Sequence, residues 1–394
     1  YRGKHSDEIV LRVSTPIATY WRGMAYDHFD GATWSMTRPK PCGNRFCREG
    51  ALIDLCPVPG LDFGLALPYR ELTQVFYVEA DGSNLVVSAP VPYQIYFPSP
   101  NLQVDAYGAL RSPVGVEKDM VYTVISHVPY RDARVLRGVV PDEETVAQVN
   151  ERFANYLQVP ETLAPGVDRL AKRIGAQGSW YARAERICSF LQRSYKYDLD
   201  VAPASGNSET VSEFLLDKKR GFCEQFATSF CVLCRLQGLP ARLVTGYLPG
   251  SYNAFTGMWD VRLSDAHSWA EVFIPGSGWV AFDPTPDGIE SGFTGIEQRS
   301  AWSYLLEQGE HWLAAAADQP LGKQSLAVVR AAIEICIRLL NVMVGNGPFL
   351  AVLAIIGTAV VWRAHASRSN LTVATGNAGR AKVDSVANAS MKEV

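Results

Sequence analysis

The chain has 394 residues, 47% hydrophobic, 20% charged and 11% aromatic, with a formal net charge of −3. That composition excludes a globally disordered chain, and the length exceeds one ordinary core, so two or three domains are expected. The near balance of charge supplies no basic footprint for phosphates, which excludes nucleic acid as the main partner.

The chain opens on Tyr1 rather than Met and turns almost at once to strand-like sequence. It reads as a fragment or a processed product without a visible signal peptide. Residues 1–135 are β-rich: IVLRVSTP, QVFYVEA, NLVVSAPVPYQIYF and DMVYTVISHV are short runs of β-branched and aromatic residues, punctuated by Pro, Gly, Asn and Asp. This texture predicts an antiparallel sandwich or barrel-like domain. WRGMAYDHFDGATW is aromatic-dense around an Asp-Gly turn signal and reads as a hairpin with aromatic packing rather than a binding surface. Cys42, Cys47 and Cys56 share one loop-like stretch. A disulfide between two of them is one reading, and a surface loop with small hydrophobes is the favoured one. Zinc is disfavoured because no His or fourth ligand lies nearby.

Near Pro141 the texture changes. DEETVAQVNERFANYLQVP, LAPGVDRLAKRIGA and SWYARAERICSFLQRSYKY read as helices, the first opened by acidic residues that suit the helix dipole. In the third, Ala184, Ile187, Cys188 and Leu191 fall at helical spacing, which makes Cys188 a core residue and not a reactive thiol.

The segment KKRGFCEQFATSFCVLCRLQGLPARLVTGY follows. Gly221 permits a sharp turn, Cys223 comes next, and no Gly or Pro interrupts Glu224 to Gln237. Gly238 and Pro240 then stop the helix. Cys223 thus falls at a helix N-terminus, where the partial positive charge favours thiolate. Ala227, Phe230, Cys231 and Cys234 share one apolar face, so the CxxC spacing there reads as core packing.

MWDVRLSDAHSWAEVFIPGSGWVAFDPTP reads as three strands. His267 begins the second, after a polar turn, and Asp283 ends the third, before Pro284. In an antiparallel pair joined by PGSG these two lie near the same end. Asp283 can then accept from one imidazole nitrogen and leave the other facing Cys223. That is the order of orienter, base and nucleophile which cysteine acyl-transfer chemistry needs. The backbone N–H of Cys223 is one candidate oxyanion donor, and Tyr197 is a candidate for the second, against an alternative reading as a packing aromatic. Trp259 and Trp269 are placed either to wall the cleft or to pack.

Residues 339–362, LLNVMVGNGPFLAVLAIIGTAVVW, carry no charge and are long enough for a transmembrane helix, flanked by Arg338 and Arg363 with Trp362 at an interfacial position. The polar tail, 363–394, is expected to be disordered and cytoplasmic.

GFCEQFATSF, ARLVTGY, SDAHSWAEVFIP and GWVAFDPTP resemble the core of the transglutaminase-like superfamily, and in particular its bacterial membrane branch, the TgpA-like proteins. The resemblance implies an α+β, papain-like transglutaminase core, N-terminal helices plus an antiparallel sheet, over residues 136–300. It would be preceded by the β-rich domain and followed by a helical connector at 301–338 and the membrane span. It also implies a Cys223–His267–Asp283 triad, an enzyme domain outside the cytoplasm, and spans upstream of Tyr1. The expected activity is thiol acyl transfer on protein or peptide amides through a thioester. A cell-envelope cysteine peptidase or amidase and a catalytically silent binding scaffold are the alternatives. No acidic loop suited to Ca²⁺ is visible, and no cofactor or metal is expected. Nothing in the sequence indicates an oligomeric state.

Overall fold

A computed structural model of the chain describes residues 6–38, 46–49, 52–55, 68–99, 101–201, 210–286 and 296–297. These lie in a unit spanning Tyr1–Tyr304. The sequence-predicted connector, membrane span and tail, 301–394, lie outside the described residues, as do Cys42 and Cys56. Of Cys47 only the backbone is described, in the strand Phe46–Glu49. Among the described residues no helix is long and apolar enough to cross a membrane.

The β-rich texture becomes an eight-stranded antiparallel sheet. Its order is Ser251–Asn253, Met258–Arg262, Ile9–Ser14, Tyr69–Val78, Val121–Pro129, Pro92–Tyr96, Leu52–Leu55 and Phe46–Glu49. Alternation sets its faces: in Val121–Pro129 the side chains of Tyr122, Val124, Ser126 and Val128 turn inward while their neighbours do not. Of these, Tyr122, Val124 and Val128 join Val13, Phe76, Ile95, Leu110 and Val261 in one core.

A second sheet of four strands runs Gly278–Phe282, Ala266–Ile274, Ala241–Tyr247 and Trp21–Tyr26. Against it packs the helix Cys223–Leu236, flanked by Trp180–Ser194 and Pro165–Ile174. Every residue from Phe226 to Arg235 is buried, the polar Thr228, Ser229 and Arg235 among them, so the helix is enclosed on all sides and not along one face alone. Ala227, Phe230, Cys231 and Cys234 are fully buried, as are Ala184, Ile187 and Leu191 opposite, matching the spacing read from sequence. Gly238, at φ +73°, ends the helix.

The two sheets exchange strands. Trp21–Tyr26, from the N-terminal part, forms an edge of the four-stranded sheet by pairing with Ala241–Tyr247. Met258–Arg262, from the later part, pairs with Ile9–Ser14 in the eight-stranded sheet. The aromatic-dense segment accordingly splits. Its first half is this edge strand, and only His28–Phe29 with Trp34–Ser35 makes the expected hairpin around Asp30, whose carboxylate accepts from the backbone N–H groups of Ala32 and Thr33.

A buried ionic cluster fastens the exchanged strand. The Glu271 carboxylate accepts from Arg22 Nε at 3.1 Å and from Arg242 Nε at 2.7 Å. The Arg242 guanidinium also lies 4.0 Å from the centre of the Trp279 ring. Burial alone would raise the Glu271 carboxyl, but the two guanidinium charges bring its pKa down to about 2. Glu271→Gln strands two buried cations, and a loss of about 3–5 kcal/mol in unfolding free energy is expected by denaturant titration at neutral pH. The depressed pKa fixes the sign with acid: Glu271's contribution is complete above the unfolded value of about 4.3 and disappears as pH falls through about 2. The difference between wild type and variant should therefore shrink across that window.

Candidate active site

Cys223 is the first residue of its helix. The preceding Arg220–Gly221 lies in parallel register with Lys196–Tyr197. A side chain at Gly221 would run into Gln225 Oε1, so glycine leaves room for Gln225 to turn back. Gln225 Oε1 accepts from the Phe222 N–H at 3.2 Å and closes the first turn. The parallel bridge also carries Tyr197 to the sulfur. Its hydroxyl lies against both the backbone N–H and the side chain of Cys223, and burial pushes the phenol up.

His267 is the second residue of the strand Ala266–Ile274. It stands opposite Gly246, and a Cβ on Gly246 would collide with the carbonyl oxygen of Trp21. Glycine is thus what lets the exchanged strand close on the histidine strand's neighbour at this level. Asp283 follows the strand Gly278–Phe282. Extending the register of that pair places Asp283 across from Trp269, diagonal to His267 and on the same face. His267 Nε2 and Asp283 Oδ2 are 2.7 Å apart.

Four donors hold the Asp283 carboxylate. Oδ2 accepts from His267 and from the Tyr20 hydroxyl at 2.8 Å, while Oδ1 accepts from Thr285 N at 3.1 Å and Thr285 Oγ1 at 2.8 Å. Its backbone carbonyl accepts from Gln192 Nε2 at 2.9 Å and from the Cys188 thiol at 3.3 Å. The helix Trp180–Ser194 therefore fixes the main chain while the strands fix the carboxylate. With Nε2 committed to Asp283, the remaining imidazole nitrogen, Nδ1, serves the hydrogen bond between His267 and Cys223.

The protonation states follow from this wiring. Burial would push the Cys223 thiol up, but the His267 hydrogen bond and charge, the Ser268 N–H and the Tyr197 hydroxyl bring it below the ordinary thiol value. Burial likewise works against an imidazolium, yet the Asp283 charge and the hydrogen bonds to Asp283 and Cys223 push His267 up to about 10. Asp283, which burial alone would raise, is held below the usual carboxylate range by the His267 charge and the donors around it. Cys231 and Cys234, on the same helix, are pushed up by burial, which outweighs the nearby Arg235 charge, Cys231 to about 12. The lowered thiol and the raised imidazole both favour a thiolate–imidazolium pair backed by a carboxylate, the arrangement that attack on a carbonyl and return of a proton to a leaving group require.

All four sequence-predicted residues, Cys223, His267, Asp283 and Tyr197, come together here. Trp269 and Trp259 do not wall a cleft: both are buried, and Trp259 belongs to the core of the eight-stranded sheet. Sequence reasoning missed Tyr20, Gln192 and Thr285. Thr285 carried a usable signal, since an Asp two residues before Thr commonly accepts from its backbone N–H. Tyr20 carried none, lying 263 residues from its partner.

Residues 168–284 match the family model of the transglutaminase-like superfamily, and residues 2–133 match that of the TgpA N-terminal domain. A protein-glutamine gamma-glutamyltransferase of Pseudomonas aeruginosa is 26% identical over 78% of this chain and 40% of its own length. The uncharacterized protein YebA of Bacillus subtilis is 33% identical over 45% of this chain and 24% of its own. The chain thus spans less than half of either relative. The crystal structure of the periplasmic domain of TgpA from Pseudomonas aeruginosa superposes with a TM-score of 0.52 at 23% identity, over 71% of this chain and 88% of that one, a likeness of fold.

Proposed function

We propose, for a chain that is TgpA-like in its N-terminal part and transglutaminase-like in its core, that it is a thiol acyltransferase acting on amides of proteins or peptides. Cys223 is the nucleophile, His267 the proton carrier and Asp283 the group that orients and charges the histidine. The observation that carries the reading is the raised imidazole beside a lowered thiol, with Asp283 2.7 Å behind the imidazole.

The Cys223 thiolate attacks the carbonyl carbon of a glutamine side chain and forms a tetrahedral oxyanion. The Cys223 N–H and the Tyr197 hydroxyl stabilise that oxygen. On collapse the departing amide nitrogen takes the proton of the His267 imidazolium and leaves as ammonia, and a thioester remains. A primary amine then attacks, His267 accepts its proton, and the thiolate departs from an isopeptide product. Water in place of the amine yields glutamate. The membrane span at 339–362 would hold the enzyme domain on the extracytoplasmic side with the tail in the cytoplasm, so the substrates would be envelope proteins or peptides.

The test offers the full-length protein a glutamine-containing protein and a labelled primary amine. Covalent label at glutamine is the expected result. Release of ammonia without label identifies water as the acceptor, and cleavage of backbone peptide bonds instead identifies a peptidase.

A further inference from the structure

The strand exchange brings one more side chain into the triad. Tyr20 immediately precedes the exchanged strand Trp21–Tyr26 and is 3% exposed. Its ring lies beside two residues of the histidine strand. It is nearly parallel to the His267 imidazole, at 7° with centroids 6.2 Å apart, and stacked on Trp269 at 22° and 4.7 Å. Its hydroxyl donates at 2.8 Å to Asp283 Oδ2, the oxygen that also pairs with His267 at 2.7 Å.

The ring cannot drift far. Trp21, its neighbour, pairs with Tyr247 and donates through Nε1 to the Pro249 carbonyl at 3.2 Å. Arg22, one residue on, is locked to Glu271 of the histidine strand. A tyrosine used only as filler has no need to spend its hydroxyl on the shared oxygen of a charged pair. We propose that Tyr20 is a positioning residue of this centre, contributed by the N-terminal part: its ring fixes the plane of the imidazole, and its hydroxyl sets how strongly Asp283 attracts the imidazolium proton. This rests on the triad reading given above. It also makes the N-terminal β-rich part a component of the enzyme rather than an appendage.

Two donors on one carboxylate oxygen compete for the same electron density. Removing the phenolic donor makes Asp283 the stronger acceptor for His267, and strengthening the phenol does the reverse. The titratable groups facing this point are Cys223 on the helix, Asp283 after its strand, Tyr20 just before the exchanged strand, Tyr197, and Cys188 at the Asp283 backbone carbonyl.

The experiment is an NMR titration of the His267 ring nitrogens in the full chain, alongside the rate at which iodoacetamide labels Cys223. Tyr20→Phe is expected to raise the His267 midpoint by about one pH unit. Site-specific 3-fluorotyrosine at position 20 keeps ring and hydroxyl, sharpens the donor, and is expected to lower the midpoint. Opposite shifts from two near-isosteric variants are a signature that lost packing does not generate, and the fluorinated protein preserves the test should Tyr20→Phe fold poorly. If the wild-type Cys223 labels selectively near neutral pH but neither variant moves His267, Tyr20 is a packing residue and the proposal is overturned. If wild-type Cys223 labels no faster than the buried cysteines, the triad reading fails, and this role fails with it.

Discussion

Cys223→Ala is expected to lower amine incorporation by roughly 10⁵-fold or more while leaving the fold in place. Among the described residues no other thiol can take over the attack: Cys231 and Cys234 are fully buried on the same helix with their thiols pushed up, and the buried Cys188 donates to the Asp283 carbonyl. The first turn of the helix does not depend on the thiol, because Gln225 closes it through the Phe222 N–H. What alanine forfeits structurally is a thiolate at a helix N-terminus, worth about 1 kcal/mol or less, and the contact with His267, whose imidazole stays paired with Asp283. A melting temperature near that of the wild type, together with lost turnover, is therefore the outcome expected. A variant that keeps a tenth of the wild-type rate would remove Cys223 from the chemistry.

Asp283→Asn is expected to be damaging twice over. Each of the four contacts to the carboxylate comes from a donor, so an amide must turn its NH₂ toward at least one N–H or O–H. Such a mismatch in a buried site costs about 1–3 kcal/mol. The electrostatic loss is larger in its consequences. Burial already opposes the imidazolium, and without the aspartate charge the His267 pKa should fall from about 10 to the ordinary value or below. The thiolate then loses its counter-ion, and activity should drop by roughly 10³–10⁴-fold.

The same change has a pH signature in stability. In the wild type His267 is raised and Cys223 lowered, against unfolded values of about 6.5 and 8.5. Above about 8.5 the unfolded chain has released both protons while folded His267 keeps one, so stability falls as pH rises through about 10. Asp283→Asn should lack that alkaline decline. A denaturant midpoint measured for both proteins across that range checks it.

How much of this was legible in the sequence follows from the range of the forces involved. Cys223 at a helix start was readable because its signals are local: a glycine before it, an uninterrupted helical run after it, and Gly238 and Pro240 to end that run. His267 and Asp283 were readable as the near ends of a hairpin, since a short turn fixes which residues meet. The strand exchange was not readable. Trp21–Tyr26 and Met258–Arg262 have ordinary strand composition, and nothing in a strand's own residues names its partner. Tyr20 and Glu271 were hidden for the same reason, as both draw their meaning from contacts hundreds of residues away. The predicted membrane span at 339–362 falls outside the described residues, and its support remains its length and lack of charge.

The account stands on a charged pair, thiolate beside imidazolium, at the head of one buried helix. The measurement that reaches it most directly is the rate of Cys223 alkylation by iodoacetamide as a function of pH, read by peptide mapping so that Cys188, Cys231 and Cys234 serve as internal references. The expected result is rapid labelling of Cys223, and not of Cys188, Cys231 or Cys234, well below the usual thiol midpoint of about 8.5. A Cys223 rate that climbs only above that pH, in step with an unassisted thiol, would contradict it.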